Sequence, residues 1–241
     1  MKLEKESKIW GAEVLRSLAN NTMVTNINKF RDALLNSHLN TGLNTRDQAD
    51  PYELLGILIK LLDLKRPFEE TIERQISNPD GVIFSEETDF FEGDHLIHID
   101  NAEINSLESA LDYFTTPIPS VRYDSLLECS KFNTAPETLP LILNRNIGHK
   151  KRSKKQLTIP MELTLSSKMF TNPDERDVKY HLKSAVCRIG KDAAGGHYVS
   201  YRINSKGEWN CYNDQRCSTV SKADLKKALE VNGYMLCYEK D

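Results

Sequence analysis

With 241 residues, 39% of them hydrophobic, and a mean hydropathy of -0.52, the chain is sized for one large domain or two small ones around a real core. A net charge of -3 supplies no global field for nucleic acid or an acidic membrane surface. No apolar run reaches the ~18 residues that span a bilayer, and residues 1–6 lack the apolar core of a secretory signal. The five cysteines, Cys129, Cys187, Cys211, Cys217 and Cys237, are odd in number and nowhere spaced C-x-x-C. Neither a disulfide framework nor a closed zinc site is expected from them, and a reducing compartment, cytoplasmic or nuclear, is.

In chain order, residues 9–35 read as helical. Ile9, Ala12, Val14, Leu15 and Leu18 recur at near-helical spacing, Asn20-Asn21-Thr22 interrupts, and Ile27, Phe30, Ala33 and Leu34 resume the pattern. Residues 40–49 are polar and read as a loop. A helix start follows: Asp50 fits the N-cap, Pro51 the first helical position, and Glu53 the back-reaching position of a capping box. Residues 54–62 are apolar nearly all round, as in a buried helix. From about Ile83 short alternating runs appear, such as 96–99, then a short helix over 107–114. Strands are predicted over 139–143, 156–159, 180–189, 197–203, 208–212 and 234–238, with Lys206-Gly207 as a hairpin turn. A last helix over 222–229 has Ser221 as its cap and Asp224 at the third position. Helices first and strands afterwards make the α+β pattern.

The most informative stretch is Gly195-Gly196-His197-Tyr198-Val199-Ser200-Tyr201, followed by Gly207-Glu208-Trp209-Asn210-Cys211-Tyr212-Asn213-Asp214. Two glycines let a backbone approach a ligand closely. A histidine opens the next strand, which turns at Gly207 and returns antiparallel, so Asn213 lies back beside His197. A carboxamide there can fix the imidazole tautomer and leave the other ring nitrogen free as a base. Trp209 and Tyr201 are expected in the core. His95 and His98 alternate on a possible strand without nearby Cys, and no metal site is read there. The basic run 149–155 falls between two predicted strands and is expected to be a solvated hairpin tip, not a nucleic-acid patch.

That stretch resembles the His box of the ubiquitin-specific proteases, and five further segments are collinear with the family. Leu139-Pro140-Leu141-Ile142-Leu143 resembles its L-P-P-V-L-x-L strand, and Ile159-Pro160-Met161-Glu162-Leu163 its F-P-x-x-L element. Tyr180-His181-Leu182-Lys183-Ser184-Ala185-Val186 is similar to the strand before the His box, and Gly233-Tyr234-Met235-Leu236-Cys237-Tyr238-Glu239 to the closing strand. Asp47-Gln48-Ala49-Asp50-Pro51-Tyr52-Glu53-Leu54 looks like a diverged Q-Q-D-A-H-E-F box, with Tyr52 and Leu54 where the family often has His and Phe. The resemblance implies a papain-like α+β fold in one domain: a helical thumb part over 1–80, then reduced fingers and an antiparallel β palm over 81–241. It implies His197 as general base, Asn213 as its orienting partner and Asp214 as a polar residue near the oxyanion region. Asp50 and Glu53 would face the basic ubiquitin tail, and Gly195 and Gly196 would line the channel for its terminal glycines. Ubiquitin or a ubiquitin-like protein is the implied partner, alongside complex subunits. No cofactor, metal or membrane is implied.

The family's nucleophile is a cysteine at a helix start, where the helix N-terminus lowers its pKa. Asn21-Thr22-Met23-Val24-Thr25-Asn26 copies the letters of that box with Met23 at the cysteine, and a thioether cannot be deprotonated to a nucleophile. Met23 stands nearer Asp50 than the family's spacing, so residues 12–50 fit better with the helical stretch between the two boxes, and the nucleophile segment is then absent from the chain. Either way, no cysteine precedes Cys129. Cys187, Cys211 and Cys237 fall in predicted strands, as small buried apolar residues do. Cys211 shares a strand face with Trp209 and Asn213 and is an unorthodox candidate thiol, as is Cys217 in a predicted loop. Two functions are compatible with these residues: a thiol-dependent deubiquitinase whose nucleophile is missing or replaced, or an inactive ubiquitin-binding or scaffold pseudoenzyme.

Overall fold

The computed structural model describes residues 50–62, 72–87, 96–147, 151–172, 174–190 and 196–241. The chain divides into two compact units, Met1–Arg66 and Pro67–Asp241. In the first, helix α1 (Pro51–Leu62) starts as its sequence dictates: the Asp50 carboxylate accepts from the Tyr52 amide at 2.8 Å, satisfying one of the orphan N–H groups of the first turn. Met23 lies outside the described residues.

The second unit holds two main sheets. The smaller, four-stranded and antiparallel, has the order β2-β1-β5-β4, built from β1 (Ile72–Ser77), β2 (Ile83–Glu87), β4 (Ile118–Pro119) and β5 (Leu127–Phe132). β1 and β5 were not legible as strands. In β1 the inward positions Ile72, Arg74 and Ile76 alternate with polar ones, and Arg74 is admitted among them because it donates to the Glu128 carboxylate at 2.8 Å. Buried Cys129 lies on β5.

The larger sheet has the order β13-β12-β11-β10-β14-β6-β3. Its strands are β3 (Leu96–His98), β6 (Thr138–Asn144), β10 (Val178–Ile189), β11 (His197–Ile203), β12 (Trp209–Asn213), β13 (Arg216–Val220) and β14 (Gly233–Lys240), with β9 (Glu162–Leu165) pairing β10. β10 shifts register between Leu182 and Ser184 and again between Val186 and Cys187. An extra residue swaps the faces of a strand, so Tyr180 and Leu182 before the first bulge and Ala185 and Cys187 after it are all buried in the same core. Helix α2 (Leu107–Thr115) is capped reciprocally by Ser106 and Ser109 and buries Leu107, Ala110 and Leu111. Helix α3 (Lys222–Asn232), capped by Ser221, buries Leu225 and Leu229. Two buried tyrosines anchor the sheet: Tyr180 donates to the Pro136 carbonyl at 2.9 Å and Tyr238 to that of Pro160 at 2.8 Å. Burial pushes both phenols well up.

Two expectations are corrected. Residues 156–159 do not form a strand; only Thr158 bridges, to Ser106. Their amides are used elsewhere, Leu157 donating to the Glu230 carbonyl and Thr158 to that of Asn105, while Leu157 and Ile159 are buried. The basic run is not wholly solvated either. Lys151 and Arg152 pair as a short strand, β8, with β7 (Asn146–Ile147), and Arg152 and Ser153 are buried, the guanidinium donating to the Asn232 carbonyl at 3.4 Å. Residues 148–150 lie outside the described residues.

Candidate functional site

The hairpin joining β11 to β12 is set by its turn. Gly207 has φ of 79°, the left-handed conformation that favours glycine, and the Asn204 side chain accepts from the amides of Lys206 and Glu208. Pairing then runs Ile203 to Trp209, Tyr201 to Cys211 and Ser200 to Tyr212. One more step in that register sets Asn213 level with Val199, on the face that also carries His197 one side-chain repeat further on.

The His197 Nε2 lies 2.5 Å from Asn213 Oδ1. A carboxamide oxygen only accepts, so Nε2 carries the proton and donates, and Nδ1 keeps its lone pair. Such a ring can take a proton at Nδ1 and return it. Asp214 turns the chain into β13 with φ of 51°, and its exposed carboxylate stands 4.0 Å from the same Nε2. Gly196 abuts the ring's backbone: a Cβ there would come within 3.0 Å of the Ile189 carbonyl oxygen and 3.1 Å of Arg188 Nε. Arg188 and Ile189 thus crowd Gly196, and a side chain there would need them to give by a few tenths of an ångström; sequence reasoning missed both. Gly195 lies outside the described residues. Asp50 and exposed Glu53 sit together at the start of α1, in the unit Met1–Arg66. Replacing Asn213 with alanine is expected to cost about 1 kcal/mol of stability. It should also abolish a hydrogen-bonded ring N–H resonance of His197 in proton NMR, and persistence of that resonance would disprove the bond.

The thiols are placed unfavourably for nucleophilic work. Burial pushes Cys187 up to about 12 and raises Cys129 and Cys237. Cys217 is exposed, but not in a loop as expected: it lies on β13, opposite Tyr212, on the face turned away from Asn213 and His197. The tight Asn213-Asp214-Gln215-Arg216 reversal that makes this a strand was the signal available in the sequence. Cys211 shares the face of Trp209 and Asn213 and stands beside Tyr201. Among the described residues, no group of three or more His, Cys, Asp or Glu is placed to hold a metal, and no helix is long and apolar enough to cross a membrane.

A mixed sheet and helix fold carrying a histidine held by a carboxamide across a hairpin describes a papain-like architecture of the ubiquitin-specific protease type. The sequence model of the family described as ubiquitin carboxyl-terminal hydrolase matches residues 12–238, and the chain belongs to that family. Ubiquitin carboxyl-terminal hydrolase 21 of Arabidopsis thaliana is 24% identical over 249 residues, covering 90% of this chain and 33% of its own length. Ubiquitin carboxyl-terminal hydrolase 32 of Drosophila melanogaster is 38% identical over 68 residues, 28% of this chain and 4% of its own. Among solved structures, a SAGA DUB module of Ubp8, Sgf11, Sus1 and Sgf73 bound to monoubiquitin matches with a TM-score of 0.73 at 18% identity, over 93% of this chain and 55% of that chain. The module bound to ubiquitin aldehyde matches with a TM-score of 0.69 at 18% identity, over 89% and 54%. Likeness at that identity speaks to the fold. The chain spans a third or less of these two curated relatives and about half of the matched structures.

Proposed function

We propose that this chain is a ubiquitin-specific protease-like domain that engages the C-terminal tail of ubiquitin and carries the base half of an isopeptide hydrolase, with no thiol at the family's nucleophile position. The observation that carries this reading is the 2.5 Å contact between His197 and Asn213, which leaves Nδ1 as the basic nitrogen. In the proposed reaction a cysteine thiol supplied by a segment other than the described residues gives its proton to His197 Nδ1 and its sulfur attacks the isopeptide carbonyl carbon; the C–N bond breaks as Nδ1 passes that proton to the departing lysine amine. His197 then takes a proton from the water that attacks the thioester, the C–S bond breaks, and the proton returns to the released thiolate. Asn213 orients the ring, Asp214 adds a polar group near the oxyanion, Gly195 and Gly196 line the tail channel, and Asp50 and Glu53 face the basic tail. The thumb part over 1–80 and the remainder over 81–241 act as one domain in this reading. Ubiquitin, and further subunits such as those named with the matched modules, are the proposed partners, in the cytosol or nucleus.

A second reading is a pseudo-deubiquitinase that binds ubiquitin and catalyses nothing. It is favoured by the burial that raises the thiols of Cys129, Cys187 and Cys237, three of the five cysteines in the sequence. Ubiquitin bearing a C-terminal propargyl electrophile tests both on the 241-residue chain. Reversible binding without an adduct is the expected result for the chain by itself. An adduct on Cys211 or Cys217 would show that one of them serves as nucleophile and would overturn the pseudoenzyme. Absence of any ubiquitin binding would sink both readings.

A further inference from the structure

The outer strand of the four-stranded sheet is an open edge. Among the described residues β2 pairs with β1 alone, in an unbroken register from Ile83 opposite Ser77 to Glu87 opposite Glu73. The hairpin joining the two strands fixes which backbone groups that pairing uses. Gly81 has φ of 83°, and the Asn78 amide donates to the Val82 carbonyl at 3.1 Å. Antiparallel pairs alternate between bonded and non-bonded. Phe84 and Glu86 therefore exchange hydrogen bonds with β1, while the N–H and C=O groups of Ile83, Ser85 and Glu87 point away from it. The opposite edge, β4, is two residues long and ends in Pro119. β2 has no proline, lysine or bulge to blunt it.

The side chains at the start of this strand are as open as its backbone. Val82, Ile83 and Phe84 are 52%, 57% and 57% exposed. Successive strand residues face opposite sides of a sheet, so neither side is covered at this end. Phe84 stands opposite Ile76, which is 8% exposed, so an apolar row leaves the core and stops uncovered at the edge. The charge along this stretch has one sign: from Asp80 to Asp94 the sequence holds six carboxylates and no Lys, Arg or His. A second copy of the strand would add its own carboxylates to these. A segment with apolar residues against Ile83 and Phe84 and basic ones against Glu86 and Glu87 satisfies the backbone, the apolar row and the charge together.

We propose that the β2 edge is a docking site for an extended segment of another protein, basic at one end and apolar at the other, which adds antiparallel as a further strand. The edge shares no residue with the His197 hairpin, so the inference stands or falls independently of the function proposed above. The test uses the full 241-residue chain and the acetylated, amidated peptide Gly-Lys-Arg-Thr-Val-Ile-Gly, which sets Lys and Arg against Glu87 and Glu86, and Val and Ile against Phe84 and Ile83. Amide NMR shifts at Ile83, Ser85 and Glu87 should saturate with a dissociation constant of about 0.1–1 mM, as for a short peptide that is ordered on binding. A peptide with Glu-Glu in place of Lys-Arg should bind about tenfold more weakly. Ser85→Pro removes an outward N–H and none that serves β1, so it should abolish the peptide's effect and leave the β1 amides in place. Should proline disturb β1 all the same, the peptide N-methylated at its threonine decides the matter, since it meets an unaltered chain and should not bind. No saturable shift, equal binding of the acidic peptide, or unchanged binding by the proline variant or the methylated peptide would each overturn the proposal. So would shifts of the same amides with ubiquitin in place of the peptide, or with rising chain concentration by itself, which would assign the edge to ubiquitin or to a second copy.

Discussion

Replacing Arg145 with alanine is expected to lower stability by about 3–5 kcal/mol, a large part of the ~5–15 kcal/mol that holds a typical domain. Arg145 follows β6 and is only 3% exposed. Its Nε donates to the Gly233 carbonyl at 2.8 Å, Nη1 to that of Lys155 at 2.7 Å and Nη2 to that of Glu230 at 2.9 Å. The Glu230 and Gly233 carbonyls lie at the end of α3, where backbone acceptors run out of helical donors and the helix dipole favours a cation. Burial and the nearby Arg152 charge push the guanidinium down to about 10, so its desolvation is offset by these three bonds. Alanine would strand three acceptors in the interior at about 1–3 kcal/mol each, reduced by whatever water enters. The denaturant midpoint in urea should fall with an unchanged slope. Arg145→Lys should recover only part of the loss, since one ammonium cannot fork to three carbonyls. A midpoint within error of the parent would refute the argument.

Trp209→Ala is expected to cost about 3–5 kcal/mol and to loosen the site at the same time. Trp209 is 2% exposed, pairs with Ile203 on one side and Val220 on the other, and belongs to the core that includes Leu225 and Leu229. Its indole N–H meets no acceptor, so the ring is kept for its volume. Trp209→Phe should accordingly cost much less, about 1–2 kcal/mol. Because Asn213 closes the strand that Trp209 opens, the hydrogen-bonded ring N–H resonance of His197 should broaden in the alanine variant and survive in the phenylalanine one. Equal destabilisation by both substitutions would show that the N–H, and not the volume, matters.

Much of the larger sheet could be read from local signals because each signal has a direct physical cause. Lys206-Gly207 marks a turn that needs φ above zero, Ser221 with Asp224 marks a helix start, and Leu107, Ala110 and Leu111 mark one helix face. The side-by-side placement of His197 and Asn213 follows from the hairpin's register alone. What stayed hidden depends on partners distant in sequence. The strand at 72–77 reads as polar until Glu128 is brought opposite Arg74, and Arg152 reads as a solvated cation until the carbonyl of Asn232 is brought against it. Residues 156–159 look like a strand by composition, yet their amides serve the loop before α2 and the end of α3. Arg188 gives no sign in the sequence that it lies under Gly196, since a cross-strand neighbour is invisible to periodicity.

The outermost position of Cys217 has a practical corollary. It is the one cysteine of the chain that is exposed, and burial raises the thiols of Cys129, Cys187 and Cys237. A maleimide dye added near neutral pH should therefore attach there in preference. The dye would ride on the strand next to Asn213 yet point from the reverse side of the sheet. Fluorescence could then follow the hairpin as ubiquitin is added, without a label obstructing the imidazole.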